Sequence, residues 1–136
     1  MITSADQWDT ARWYNFSATE FACSHCNALN VSPIVLDFLQ SYRTHLGKGV
    51  SVNSGYRCAE HNNSVSSTGD NGPHVTGLGI DISTDTQTQY QLLRFAFHYD
   101  PRPLGIGIAK TFTHLDWCTV DQDEKFVVRP NVWRYA

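Results

Sequence analysis

Three side chains in this 136-residue chain have the types and placement to hold a catalytic metal: His74, Asp81 and His114. Zinc binds neutral imidazole nitrogens, thiolates and carboxylates, and a catalytic site uses three of them with one position left for water. Two imidazoles and one carboxylate leave about one net positive charge on such a centre. That charge acidifies a bound water and polarises a carbonyl. Spacing alone does not decide the matter, because the chain has six histidines and thirteen acids. The same three residues also read as a loop histidine, a carboxylate capping nearby amides, and a partly buried, hydrogen-bonded imidazole. Asp116 lies two residues beyond His114, so in a strand the two share a face. It is the candidate general base; orienting a histidine ligand and lying idle on a strand surface are its other readings. Arg57 closes Ser54-Gly55-Tyr56-Arg57 at an expected strand end. A guanidinium there offers parallel donors to a carboxylate or a developing oxyanion, and a surface salt bridge is the alternative.

The elements that must position these groups follow from pattern. Ser17-Ala-Thr-Glu20 reads as a capping box opening a very short helix. Ser32-Pro33 is an N-cap followed by proline; Val35, Phe38, Leu39, Tyr42 and Leu46 then recur at helical spacing until Gly47. Val50-Ser-Val52 reads as a short strand, and the polar stretch 59–79 as an extended loop carrying His74. Ile80 and Ile82 bracket Asp81 in a strand, which turns Asp81 away from the core. A second helix is expected from about Asp85 to His98, buried through Leu92, Leu93, Phe95, Ala96 and Phe97. Residues 104–109 and 112–118 read as two strands joined tightly at Lys110-Thr111. The expected fold is α+β, with two main helices on a central antiparallel sheet in one domain spanning 1–136 and a core of about 20–118.

Composition narrows the function classes. The net charge is -3, with ten basic and thirteen acidic residues and no clustered basic face, which argues against nucleic acid as a partner. No run of apolar residues is long enough to span a membrane. The first residues carry neither a basic start nor an apolar run, so no secretory signal is expected.

Cys23, Cys26, Cys58 and Cys118 read as small buried apolar side chains. A structural zinc site built from three cysteines plus His25 or Cys118 is the alternative. Cys23-Ser-His-Cys26 has ligand-like spacing but lacks a matching downstream pair. His45 and His98 lie near expected helix C-termini, where positive charge is favourable. Trp8, Trp13, Trp133 and Tyr56 read as pinning chain ends to the core, with stacking on substrate as the alternative.

Four motifs then occur in one order: Ser54-Gly-Tyr-Arg57, His61-Asn62, His74-Val-Thr-Gly-Leu-Gly-Ile-Asp81 and His114-Leu-Asp116. Together they resemble the zinc D-Ala-D-Ala carboxypeptidase family, whose fold is shared with the hedgehog signalling domain and many phage endolysins. The likeness runs from about Glu20 to Trp117 and is nearest the branch with a Ser-Gly-Tyr-Arg strand end and a His-x-Asp strand. It implies zinc held by His74, Asp81 and His114, with Arg57 holding or polarising the substrate. It also implies a peptidoglycan peptide as substrate, cut by a carboxypeptidase or an endolysin-type endopeptidase. Two positions depart from the family pattern. Gly72 stands where a serine is common, two residues before the first histidine ligand. Thr111 stands where several branches place an acid, three residues before the last. The second departure keeps open a zinc-stabilised binding module of the same fold without catalysis. The expected setting is a monomer made in the cytoplasm that reaches the cell wall after lysis or delivery, as a phage-encoded enzyme does.

Overall fold

The structure, a computed structural model, describes residues 1–119 and 128–135. Helix α1 (Pro33–Leu46) begins where Ser32 Oγ accepts the Ile34 N–H, and it stops at Gly47 in the left-handed region at φ 73°, as an αL cap requires. Helix α4 (Thr86–His98) is capped by Asp85, whose carboxylate accepts from the N–H groups of Gln87 and Thr88. Five strands, β1 (Val52–Ser54), β2 (Gly79–Ser83), β3 (Gly105–Ile108), β4 (Phe112–Asp116) and β5 (Asn131–Arg134), form one sheet in the order β1-β2-β4-β3-β5.

The sheet is mixed rather than purely antiparallel. β1, β2, β4 and β3 pair antiparallel, and β5 runs parallel to β3. Residues 131–134 are mostly exposed and had no alternation to mark them as a strand. β1 also begins two residues later than its valines suggest. The stretch 59–79 is not an extended loop: it holds helix α2 (Ala59–Val65), a 3-10 turn at Gly69–Asn71 and the one-turn helix α3 (Pro73–Thr76).

One face of the sheet is apolar. Ile80, Ile82, Ile106 and Leu115 join α1 and α4 in a core with Phe38 at its centre. The Phe38 ring meets Tyr42, Phe95, Tyr99 and Trp117 at centroid distances of 5.1–6.4 Å. α4 buries only a stripe through Leu92 and Ala96, and Phe97 is 56% exposed. A helix lying on one side of a two-layer domain turns only part of an apolar run inward.

The opposite face carries the polar residues. Register places Asp81 beside His114, His114 beside Gly107, and Asp116 between Gly79 and Gly105. Alternation along β2 and β4 therefore sorts isoleucine and leucine to one side and the titratable groups to the other. These groups are not on a solvated surface: Asp81, His114 and Asp116 are all buried. α3 sits against β2, and β5 brings Trp133 alongside, with ring centroids of Trp133 and His114 5.4 Å apart.

Candidate metal centre

His74 reaches the centre from α3, a helix made possible by Pro73 at its first position and Gly77 in the left-handed region after it. Its Nδ1–H donates to the Gly55 carbonyl at 2.7 Å. That bond assigns the tautomer and leaves the Nε2 lone pair facing Asp81 Oδ1 at 3.2 Å. His114 is set the other way round. Its Nε2–H donates to Asp116 Oδ2 at 2.9 Å, and Nδ1 faces the same Asp81 Oδ1 at 2.8 Å.

Three acceptor atoms thus converge: His74 Nε2, His114 Nδ1 and Asp81 Oδ1, all within 4.8 Å of one another. Lone pairs so placed repel unless a cation lies between them, and zinc ligands at about 2.0–2.2 Å in a tetrahedron stand roughly 3.3 Å apart. The observed 2.8 and 3.2 Å contacts are close to that spacing, so the donor set fits zinc. The sequence reading placed this trio, and the structure brings it together.

The titration behaviour of the metal-free centre has the same origin. Burial pushes His74 below its ordinary value, against the pull of Asp81. Burial also opposes charge on His114, but its hydrogen bonds to Asp116 and Asp81 outweigh this and raise it. Burial would raise Asp81, yet hydrogen bonding and charge attraction from the His114 and His74 rings, when these carry a second proton, hold it well below the carboxylate range. A proton on His114 is therefore the competitor of a metal, and acidification weakens metal binding.

Arg57 lies over the outer oxygen of Asp81. Its Nη2 donates to Asp81 Oδ2 at 3.0 Å, Nε to Ser54 Oγ at 3.0 Å and Nη1 to Asn62 Oδ1 at 3.3 Å. Asp81 is thereby divided, with one oxygen for the metal and one for the guanidinium. Asn62 is fully buried and also donates to Thr68 Oγ1 and the Gly69 carbonyl. A Cβ at Gly72 would collide with Thr68 and Asn62, so the network that holds Arg57 occupies the space a serine there would need.

Asp116 is 0% exposed, and both its oxygens are engaged. Oδ2 accepts from His114 Nε2 and Arg129 Nη2, while Oδ1 accepts from Arg129 Nε and the Cys118 N–H. The carboxylate does not face the cleft, which is not where a general base must stand. Arg129, which the sequence reading did not single out, forms a two-pronged pair with it at 2.9 Å on both arms. Only an arginine fork gives that geometry, but nothing in the sequence around Arg129 marks its distant partner.

A Cβ at Gly105 would overlap the Asp116 carboxylate. Gly105→Ala is therefore expected to destabilise the protein by about 1–3 kcal/mol, the usual cost of overpacking, and to weaken zinc binding. Thermal melts with and without added zinc measure both; a melting temperature unchanged from wild type would remove the packing argument.

Around the centre lies a cleft of about 590 Å³, lined among others by Arg57, Ser66, Thr68, Phe112, Trp133 and Tyr135. Trp133 borders the site rather than merely pinning the chain end. Trp13, by contrast, is buried in the core as expected.

The family model described as Peptidase M15 matches residues 14–116. This chain belongs to the Peptidase M15 family. M15 peptidases are zinc-dependent, in agreement with the His74, Asp81 and His114 donor set. The matched segment ends at Asp116, so Arg129, Trp133 and Tyr135 of this M15 peptidase lie beyond it. No curated protein and no solved structure matches the chain. Among the described residues no helix is long and apolar enough to cross a membrane.

Proposed function

We propose that this M15 member hydrolyses peptide bonds in peptidoglycan stem peptides or their cross-links, with His74, Asp81 and His114 as zinc ligands. The observation that carries the reading is the convergence of His74 Nε2, His114 Nδ1 and Asp81 Oδ1 at an open cleft. Zinc bound there would polarise a substrate carbonyl and acidify a water. The chain's own groups do the rest. Arg57 keeps Asp81 Oδ2 occupied, and two of its five N–H groups remain for a substrate carboxylate or carbonyl. Asp116 and Arg129 orient the His114 ring and set which nitrogen carries the proton. Trp133 and Tyr135 supply an aromatic wall for the peptide. The biological setting we infer is cell-wall degradation of the endolysin type.

Incubation with purified muropeptides followed by mass spectrometry tests this reading. Loss of a terminal D-alanine marks a carboxypeptidase, and scission of cross-linked dimers marks an endopeptidase. A second reading, a zinc-stabilised binding module, is favoured by one observation: Asp81 is the only acid among the described residues that line the cleft. Muropeptides bound but left intact would select it.

Arg57→Lys is expected to lower kcat/KM by roughly 10- to 100-fold, about 1–3 kcal/mol for lost charge-assisted bonds. An ammonium cannot reproduce the planar fork that spans Ser54, Asn62 and Asp81. Steady-state kinetics on a peptide ending in D-Ala-D-Ala measure the loss; an unchanged kcat/KM would take Arg57 out of the site.

A further inference from the structure

Away from the cleft, Cys23, Cys26 and Cys58 bring three sulfurs within 4.8 Å of one another, and all three thiols are free. Cys23 is buried as a small apolar side chain would be, but Cys26 is exposed, so packing does not account for it. Cys118 does not join them. It sits beside Thr76, Sγ to Oγ1 3.7 Å, and burial pushes its thiol up to about 12.

Backbone N–H groups point at two of the three sulfurs. The N–H groups of His25, Cys26 and Cys58 all donate to Cys23 Sγ, the last at 3.4 Å. The His61 N–H donates to Cys58 Sγ at 3.4 Å. The turn from Cys23 to Asn27 closes through Asn27 N–H to the Cys23 carbonyl at 2.8 Å, with Asn27 in the left-handed region at φ 60°. A turn of this kind presents two sulfurs three positions apart to one point, and Cys58 arrives from a different part of the chain. Zinc–sulfur bonds of about 2.3 Å place thiolates roughly 3.8 Å apart in a tetrahedron, which this cluster accommodates. The rings of His25 and His61 stack with centroids 5.8 Å apart and planes within 5°. His25 precedes Cys26 directly and His61 follows Cys58 by three residues, which makes these two imidazoles the candidates for a fourth donor.

We propose that Cys23, Cys26 and Cys58 hold a second, structural zinc ion, completed by His25 or His61. Its position in the chain gives it a task. Cys58 follows Arg57 directly. The adjoining residues are already tied on both sides: Tyr56 N–H to the Phe21 carbonyl at 2.8 Å, Gly55 carbonyl to His74 Nδ1 at 2.7 Å, and Arg57 N–H to the His74 carbonyl at 3.3 Å. A metal at the cysteines fastens this segment to the Cys23–Cys26 turn, and so fixes Arg57 from behind. The inference does not depend on catalysis at the cleft.

Cobalt(II) added alone to the reduced, metal-free protein tests it, because thiolate ligands give cobalt an intense sulfur-to-metal absorption that His/Asp ligation lacks. The band is expected in wild type and in His74→Ala. It should be lost in Cys26→Ser, whose exposed position leaves the core intact. His25→Ala and His61→Ala identify the fourth donor by which of them alters the band. Absence of the band in both wild type and His74→Ala would overturn the proposal. So would a mass lower by two hydrogens after isolation of metal-free protein without reductant, which would assign the cysteines to a disulfide.

Discussion

Asp116→Asn is expected to bind zinc about 10- to 100-fold more weakly than wild type, the usual effect of removing a hydrogen-bonding partner of a metal ligand. The amide keeps the shape but turns an NH2 group toward either His114 Nε2–H or the Arg129 fork. One donor then faces another in a site where both carboxylate oxygens now accept. A general base would behave differently, with full zinc occupancy and a rate loss of about 10²-fold or more. Zinc titration of the two proteins separates these outcomes. Arg129→Ala gives the complementary result. It leaves Asp116 buried without its cation, at a cost of about 3–5 kcal/mol. The pH dependence has a definite sign. Burial would raise Asp116, but hydrogen bonds from His114 and Arg129 lower it. Its contribution to stability is thus present above about pH 3.9, its unfolded value, and is lost as pH falls through the lower folded value. Removing Arg129 should flatten that acid limb of the stability curve.

Why some of this was readable from residues alone is a matter of periodicity and composition. α1 announces itself through Ser32, Pro33, the apolar stripe and Gly47, each a local signal with a local cause. Ile80 and Ile82 around Asp81, and Leu115 and Trp117 around His114 and Asp116, place the ligands by simple alternation. What alternation cannot say is whether the polar face is wet. Here it is covered by α3, Arg57 and β5, and the glycines at 79, 105 and 107 leave room for the α3 backbone, the Asp116 carboxylate and the Trp133 ring respectively. α2 and α3 leave little signal because they are short and polar, and α2 is capped by Cys58 rather than by Ser, Thr, Asp or Asn. Arg129 was invisible for a different reason. A pair joining residues thirteen positions apart, one at the end of β4 and one just before β5, leaves no spacing signature. Asp116 reads from spacing alone as a base or as the partner of a histidine ligand, and the Arg129 pair favours the second.

The central claim is that one zinc at His74, Asp81 and His114 supports peptide hydrolysis. Zinc content and muropeptide hydrolysis, measured together on wild type and His74→Ala, test it most directly. His74 Nδ1 is anchored to the Gly55 carbonyl and its Nε2 would be the metal donor, so alanine would remove one of the three proposed ligands. The account predicts that the variant loses about one zinc per chain relative to wild type, with hydrolysis falling to background. A His74→Ala protein that keeps the wild-type zinc content and cuts muropeptides at the wild-type rate would contradict it.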